Sequence, residues 1–180
     1  MMGMGEPLDN YENTLRFLEL ATNVNGLNLS MRNISLSTCG IVPRIYDLLD
    51  KKLQLTLSVS LHAPNDEMRS RVMPINKAYP IKELIKSCKD YTKETSRRIS
   101  FEYAMISGVN DSRECADELV KLLKGIMSHI NLIPANPVKE NDFKKTDNNS
   151  VKKFADYINS KGITATVRRT LGADIEASCG

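Results

Sequence analysis

A chain of 180 residues, 41% hydrophobic and 26% charged, has the make-up of one globular domain with a real core, which excludes a low-complexity polymer. The net charge of +3 permits a nucleic-acid surface without demanding one. No apolar run reaches membrane-spanning length, and Met1–Met2 opens no signal-peptide pattern, so no membrane partner and a cytoplasmic location are expected.

Asp9–Asn10–Tyr11–Glu12 reads as a capping box, and Leu15, Leu18 and Ala21 continue a helical face as far as Asn25–Gly26. Asn33 to Ser37 alternates as a strand, and Pro43 opens a short helix reaching Leu49. The clearest strand follows, with Leu55, Leu57, Val59 and Leu61 alternating with Thr56, Ser58, Ser60 and His62. Pro64 to Pro74 reads as a loop with a helical turn around Glu67–Arg71. Pro80 suits the first turn of a helix with Ile81, Leu84, Ile85, Cys88 and Tyr91 on one face.

Arg98 to Ile106 reads as a strand closed by Gly108–Val109–Asn110–Asp111. Ser112 can cap the next helix, which turns Cys115, Ala116, Leu119, Val120 and Leu123 inward. Ile130 to Ile133 is another strand, stopped by Pro134 and Pro137. Lys139 to Asn149 is polar and aperiodic and reads as a mobile loop. Ser150 is expected to cap a last helix carrying Val151, Phe154, Ala155 and Ile158, with Gly162 beyond its end and a strand from Ile163 to Val167.

Strict alternation of helix and strand implies right-handed crossovers and a mainly parallel sheet. A closed eight-strand barrel needs about 250 residues, so it does not fit, while a doubly wound sheet matches the same rhythm. Chemistry on such sheets gathers at strand C-terminal ends, where Ser37, Ser60 to His62, Met105 and Asn136 are expected.

Cys39, Cys88, Cys115 and Cys179 are widely spaced and form no CxxC pair, which argues against a self-contained zinc or iron–sulfur site. Cys88 and Cys115 fall on apolar helix faces and read as buried thiols. Neither His62 nor His129 has a companion ligand set, so no metal is expected on this chain. Gly3–Met4–Gly5–Glu6–Pro7 lacks the GK[ST] ending of a phosphate loop. It reads either as a tight turn before a helix, or as a close backbone approach with Glu6 set to meet a cationic group.

Five segments together carry a specific resemblance. They are Gly3 to Leu8, Ser35 to Gly40, Ser58 to Pro64, Leu132 to Pro137, and Arg168 to Gly172 with Ala177 to Gly180. Asp66 to Pro74 and Glu102 to Asn110 add to them. The chain resembles the C-terminal half of the radical S-adenosylmethionine enzymes that methylate position 2 of adenine in 23S ribosomal RNA and in transfer RNA.

The resemblance implies a fragment of a partial (β/α)6 TIM-like barrel with a mostly parallel sheet and an open edge. It implies that Gly5 and Glu6 receive the methionine end of S-adenosylmethionine, and that Ser37, Ser60, Leu61, His62 and Asn136 contact that cofactor. It implies that Cys179 is methylated as a one-carbon carrier. A hydrogen atom is then taken from that methyl group by an adenosyl radical, generated at a four-iron four-sulfur (4Fe–4S) cluster. The carbon radical adds to adenine, and product is released through a transient disulfide with an upstream cysteine. Arg168 and Arg169 read as RNA phosphate contacts or as a solvated charge pair. Flavodoxin is the kind of reducing partner implied.

The chain departs from the family pattern in lacking the cluster motif CxxxCxxC. We therefore expect residues 1–180 to be the C-terminal portion of the radical S-adenosylmethionine core domain. The first barrel strands and an N-terminal accessory domain would be absent, Met1 marking an expression fragment or a wrongly assigned coding start. We expect this stretch alone to be inactive, to bind no cluster and to self-associate through its open edge. The alternatives are methylation of adenine position 8 in 23S ribosomal RNA, and a non-catalytic RNA-binding or structural remnant.

Overall fold

A computed structural model describes residues 1, 5–134 and 146–168. Its strands are β1 (Ser35–Thr38), β2 (Thr56–Ser60), β3 (Ile99–Met105), β4 (Ser128–Pro134) and β5 (Thr164–Val167). They form one sheet in the order β1-β2-β3-β4-β5, and every pairing is parallel. Consecutive order with right-handed crossovers puts every connecting helix on the same face. A doubly wound sheet would reverse its strand order at a switch point, and this sheet does not. The result is a singly wound, open portion of a (β/α) barrel, as the resemblance implied.

The helices are α1 (Tyr11–Thr22), α2 (Val42–Asp50), α3 (Asp66–Val72), α4 (Ile81–Thr95), α5 (Arg113–Leu123) and α6 (Asn148–Ser160). Among the described residues, no helix is long and apolar enough to cross a membrane.

The two faces of the sheet differ in chemistry because side chains alternate along a strand. Leu36, Leu57, Val59, Ile99, Phe101, Tyr103, Met105, Ile130 and Leu132 are buried in the core with Ile45, Leu48, Leu84, Cys88, Leu119 and Ile158 from the helices. The opposite positions are small and polar. Register sets Ser37, Ser58, Ser100, His129 and Thr164 in one row across the sheet, and Ser60, Glu102, Asn131 and Thr166 in the next. Parallel sheets usually bury both faces in apolar residues. This one keeps a polar concave face with a hollow of about 370 Å³, lined in part by Ser58, Glu102, His129, Asn131 and Arg168.

Four expectations are corrected here. The capping box at Asp9 does not form: Asn10 is the N-cap of α1 and makes no side-chain cap bond, because its Oδ1 accepts from Asn13 instead. The turn around Glu67–Arg71 is a full helix, α3, because Asn65 caps it through the N–H of Met68. The last helix starts before Ser150, because the Asp147 carboxylate accepts from the N–H groups of both Asn149 and Ser150 at 3.0 Å. Asn148 and Asn149 are therefore helical, and the rest of the expected loop, 139–145, lies outside the described residues. Met105 faces the apolar core, not the strand-end cluster. Ser112 caps α5 as expected, accepting from Cys115 N–H at 3.2 Å.

The contrast between the faces predicts an asymmetric response to mutation. Phe101→Ala should cost about 3–5 kcal/mol in urea unfolding, whereas Thr164→Ala, on the exposed polar face, should stay within about 0.5 kcal/mol. Tyr91 is fully buried and its hydroxyl finds no partner among the described residues. Tyr91→Phe should therefore stabilise the fold by about 1 kcal/mol, read as a higher denaturation midpoint at unchanged m-value.

Candidate functional site

The polar cluster lies at the C-terminal ends of β1 and β2, where the strands diverge. The β1–β2 ladder ends at the pair Thr38 and Val59. One step further, Cys39 and Ser60 no longer pair with each other, and their carbonyls need other donors. The guanidinium of Arg69 supplies them. Its Nη2 donates to the carbonyls of Cys39 (2.8 Å) and Ser60 (3.0 Å), its Nε to that of Leu61 (3.2 Å), and its Nη1 to Oδ1 of Asn76 (2.9 Å). Arg69 is wholly buried and pairs with no carboxylate among the described residues. Burial lowers its pKa, yet a guanidinium so far above neutrality keeps its charge.

Glu6 reaches this cluster from the chain before α1. Its Oε2 accepts from Cys39 N–H at 2.6 Å and its Oε1 from Leu8 N–H at 3.0 Å. A carboxylate offers about four lone-pair sites, so acceptor capacity remains for an incoming cation. Gly5 beside it has φ +99, a conformation open to glycine, with nothing within 4 Å of where a Cβ would stand. Gly40 repeats the device at φ +100, where a Cβ would come within 2.9 Å of Leu84 Cδ1. The Cys39 thiol is pushed up to about 12, first by burial and then by Glu6. It stays protonated near neutral pH and is no nucleophile there.

His62 sits just past β2 at φ +57. Its Nδ1 accepts from Ala104 N–H at 3.0 Å, so the neutral ring carries its proton on Nε2. Burial, with Arg69 adding to it, pushes its pKa down to about 4. Its carbonyl accepts from Nδ2 of Asn110 at 2.8 Å. The same Asn110 nitrogen donates to Ala104 O, and Oδ1 of Asn110 accepts from Ile106 N–H. The N–H groups of Leu61 and His62 both donate to the carbonyl of Glu102. The Glu102 carboxylate, 4% exposed, accepts from Ser100 Oγ and Asn131 Nδ2 on the concave face.

Of the residues expected from sequence, Glu6, Ser60, Leu61 and His62 meet at this strand edge, with Gly5 adjoining Glu6. Ser37 lies one register row deeper on the concave face. Leu61 is wholly buried, its N–H bonded to the Glu102 carbonyl and its own carbonyl to Arg69, so it shapes the edge from beneath. Arg168, half-buried and directly after β5, lines the concave hollow with Glu102 and Asn131. Gly3, Asn136, Arg169 and Cys179 lie outside the described residues. No disulfide joins the described cysteines: Cys39, Cys88 and Cys115 are free thiols. Among the described residues, no three metal-ligating side chains converge. Sequence reading missed Arg69, Asn76, Glu102 and Asn110 as organisers of the site. Arg69, Glu102 and Asn110 lie inside the two additional segments of the resemblance, Asp66 to Pro74 and Glu102 to Asn110, but no role was read for them there.

A singly wound parallel sheet with charged and amide side chains at its strand C-terminal edge defines a barrel-type α/β protein, the class that binds ligands at that edge. The family model of the Radical SAM superfamily matches residues 1–124, and the chain belongs to that superfamily. Over all 180 residues it is 57% identical to a Thermoanaerobacter sp. (strain X514) protein named "Probable dual-specificity RNA methyltransferase RlmN", of which it spans 53%. The crystal structure of a radical SAM methyltransferase from Sphaerobacter thermophilus matches with a TM-score of 0.96 at 47% identity, covering 100% of this chain and 53% of that one. A domain of pyruvate-formate lyase-activating enzyme from Bacteroides vulgatus shares the fold, with a TM-score of 0.66 at 14% identity and coverage of 92% and 95%. The chain thus spans about half the length of the curated relatives it matches.

The geometry of His62 gives a pH signature. A histidine whose pKa falls on folding stabilises the native state fully above its ordinary value near 6.5, and that contribution is lost as pH falls toward about 4. His62→Asn tolerates the positive φ and does not protonate. The variant should show a smaller drop in Tm between pH 6.5 and 4.5 than the parent chain. Equal drops would assign the acid sensitivity to other groups.

Proposed function

We propose that this chain is the C-terminal portion of the radical S-adenosylmethionine core of a cytoplasmic enzyme that methylates position 2 of adenine in 23S ribosomal RNA and in transfer RNA. The observation that carries the reading is the 57% identity with the RlmN-named protein over all 180 residues. The chemistry supports it too. Position 2 of adenine lies between two ring nitrogens and is a poor nucleophile, so polar methyl transfer is ill suited and a radical route is needed. S-adenosylmethionine, when bound, supplies the methyl group and the adenosyl radical.

This chain's residues bind and orient. Glu6 accepts from the cofactor's ammonium group, a charge-assisted contact for which its free lone pairs are suited. Ser37 and Ser60 offer hydroxyls to the nucleoside edge, His62 a fixed Nε2–H donor, and Leu61 packs beneath them. Asn136 joins them, and Cys179 carries the methyl group as S-methylcysteine. The electron that would release the adenosyl radical would come from a 4Fe–4S cluster held by the rest of the complete enzyme, since no three metal-ligating side chains converge among the described residues. Flavodoxin as reductant, phosphate contacts from Arg168 and Arg169, and lack of RNA methylation by residues 1–180 alone belong to the same reading.

The test uses the complete gene product that carries this chain, expressed with iron and reconstituted anaerobically. The proteolytic peptide containing Cys179 should be heavier by one methylene, and the methylated RNA base should map to adenine position 2. Glu6→Ala should lower cofactor affinity by roughly tenfold to a hundredfold, matching the about 1.5–3 kcal/mol of a charged hydrogen bond. Unmodified Cys179 in a cofactor-loaded protein would overturn the carrier role, and a methyl group at position 8 would overturn the regiochemistry.

The sheet edges give a further expectation. On the outer edge of β1, Met1 N–H donates to Ser35 O and its carbonyl accepts from Ser37 N–H, the pattern of a single parallel bridge. The rest of that edge invites strand addition. The 180-residue chain should sediment as an oligomer at micromolar concentration. A monomer across the concentration range would remove self-association from the reading.

A further inference from the structure

We infer that Arg69 is a positioning residue for the cofactor site, holding the Glu6 carboxylate and the Ser60–His62 segment in one fixed relation. The inference rests on the cofactor reading of the strand edge proposed above.

Four of the five guanidinium N–H groups are engaged, and three of them go to main-chain carbonyls at or just past the ends of two strands. Arg69 therefore works as a staple where the sheet ladder stops. Cys39 is the hinge of the connection. It receives Arg69 at its carbonyl and gives its N–H to Oε2 of Glu6. A shift of Cys39 thus shifts the acceptor meant for the ligand's ammonium group. On the other side, the Ser60 and Leu61 carbonyls fix the segment that ends at His62.

The support for Arg69 is itself built. Asn76, 2% exposed, accepts from Nη1 and donates through Nδ2 to the carboxylate of Asp66 and to Ser70 Oγ. Asp66 Oδ1 also accepts from Ile81 N–H, at the start of α4. The guanidinium is thereby referenced to two helices as well as two strands. Packing alone would not require a buried cation here, since uncompensated burial of charge is costly. A planar fork reaching four acceptors at fixed angles is something neither lysine nor an apolar residue reproduces.

The experiment is a double-mutant cycle on S-adenosylmethionine binding to the complete, cluster-reconstituted gene product, measured by anaerobic equilibrium dialysis. Arg69→Met removes every donor at similar volume, and Arg69→Lys keeps the charge and most of the packing. We expect Arg69→Met to weaken binding by at least about tenfold, which corresponds to about 1.4 kcal/mol, and Arg69→Lys to fall between it and the parent. In a Glu6→Gln background, the same Arg69 substitutions should weaken binding by less than about threefold, because positioning an acceptor that has lost its charge yields little. If Arg69→Met does not melt cooperatively, the cycle is read from Arg69→Lys alone.

Equal factors in the two backgrounds would overturn the inference and leave Arg69 as a stability residue. So would unchanged affinity in both Arg69 variants. Should Glu6→Gln by itself leave binding intact, the cofactor reading of the strand edge fails first. Should Glu6→Gln weaken binding while Arg69 acts additively, that reading stands and only the positioning role falls.

Discussion

A strand that leaves its ladder must find new partners for its main-chain groups, and the site depends on how this chain meets that demand. Parallel strands splay at their C-terminal ends to make room for a ligand, and each unpaired carbonyl or N–H in the opening carries a desolvation cost. Here the carbonyls are met by the Arg69 guanidinium, and the N–H groups by Glu6 and by the Glu102 carbonyl. Asn110 does the same for the turn after β3 and ties it to His62. These side chains satisfy the main-chain groups at the mouth of the sheet and fix its shape.

The sheet beneath makes that opening useful. One face is apolar because every second residue of β1 to β4 packs against helices, and the other is lined by serine, threonine, glutamate, asparagine and histidine. Small polar residues leave space and hydrogen-bonding groups together, which suits a ligand with a sugar and a charged tail better than a hydrocarbon. The same rows reduce the burial available to the sheet, so stability rests on the helix-covered face.

Much of the fold was legible because periodicity is a local property. Leu55 to Leu61 alternates cleanly, and Ile81 to Tyr91 has a helical stripe, so element type followed directly. Periodicity alone could not choose the strand order, since doubly wound and singly wound sheets share one rhythm of elements, and the barrel order came from the resemblance. Caps failed where two candidates lay close together: Asp147 won over Ser150 because a carboxylate could accept from two N–H groups at once. Glu6, Ser60 and His62 were found through motif wording. Arg69 fell inside the matching segment Asp66 to Pro74, yet its role went unread, because its burial is a consequence of tertiary structure.

The electrostatics of the strand edge also restrict which sulfur can do chemistry. Cys39 is next to Glu6 and would seem the natural nucleophile, but burial and the carboxylate both oppose its ionisation and push it up to about 12. Arg69 pulls the other way and is outweighed, because its donors are directed at carbonyls and not at the thiol. Cys88, wholly buried, is pushed up to the same region by burial alone. The Glu6 carboxylate thus helps suppress the thiol beside it. On the proposed reading, neither Cys39 nor Cys88 is then suited to carry a methyl group, since each thiol is held protonated at neutral pH.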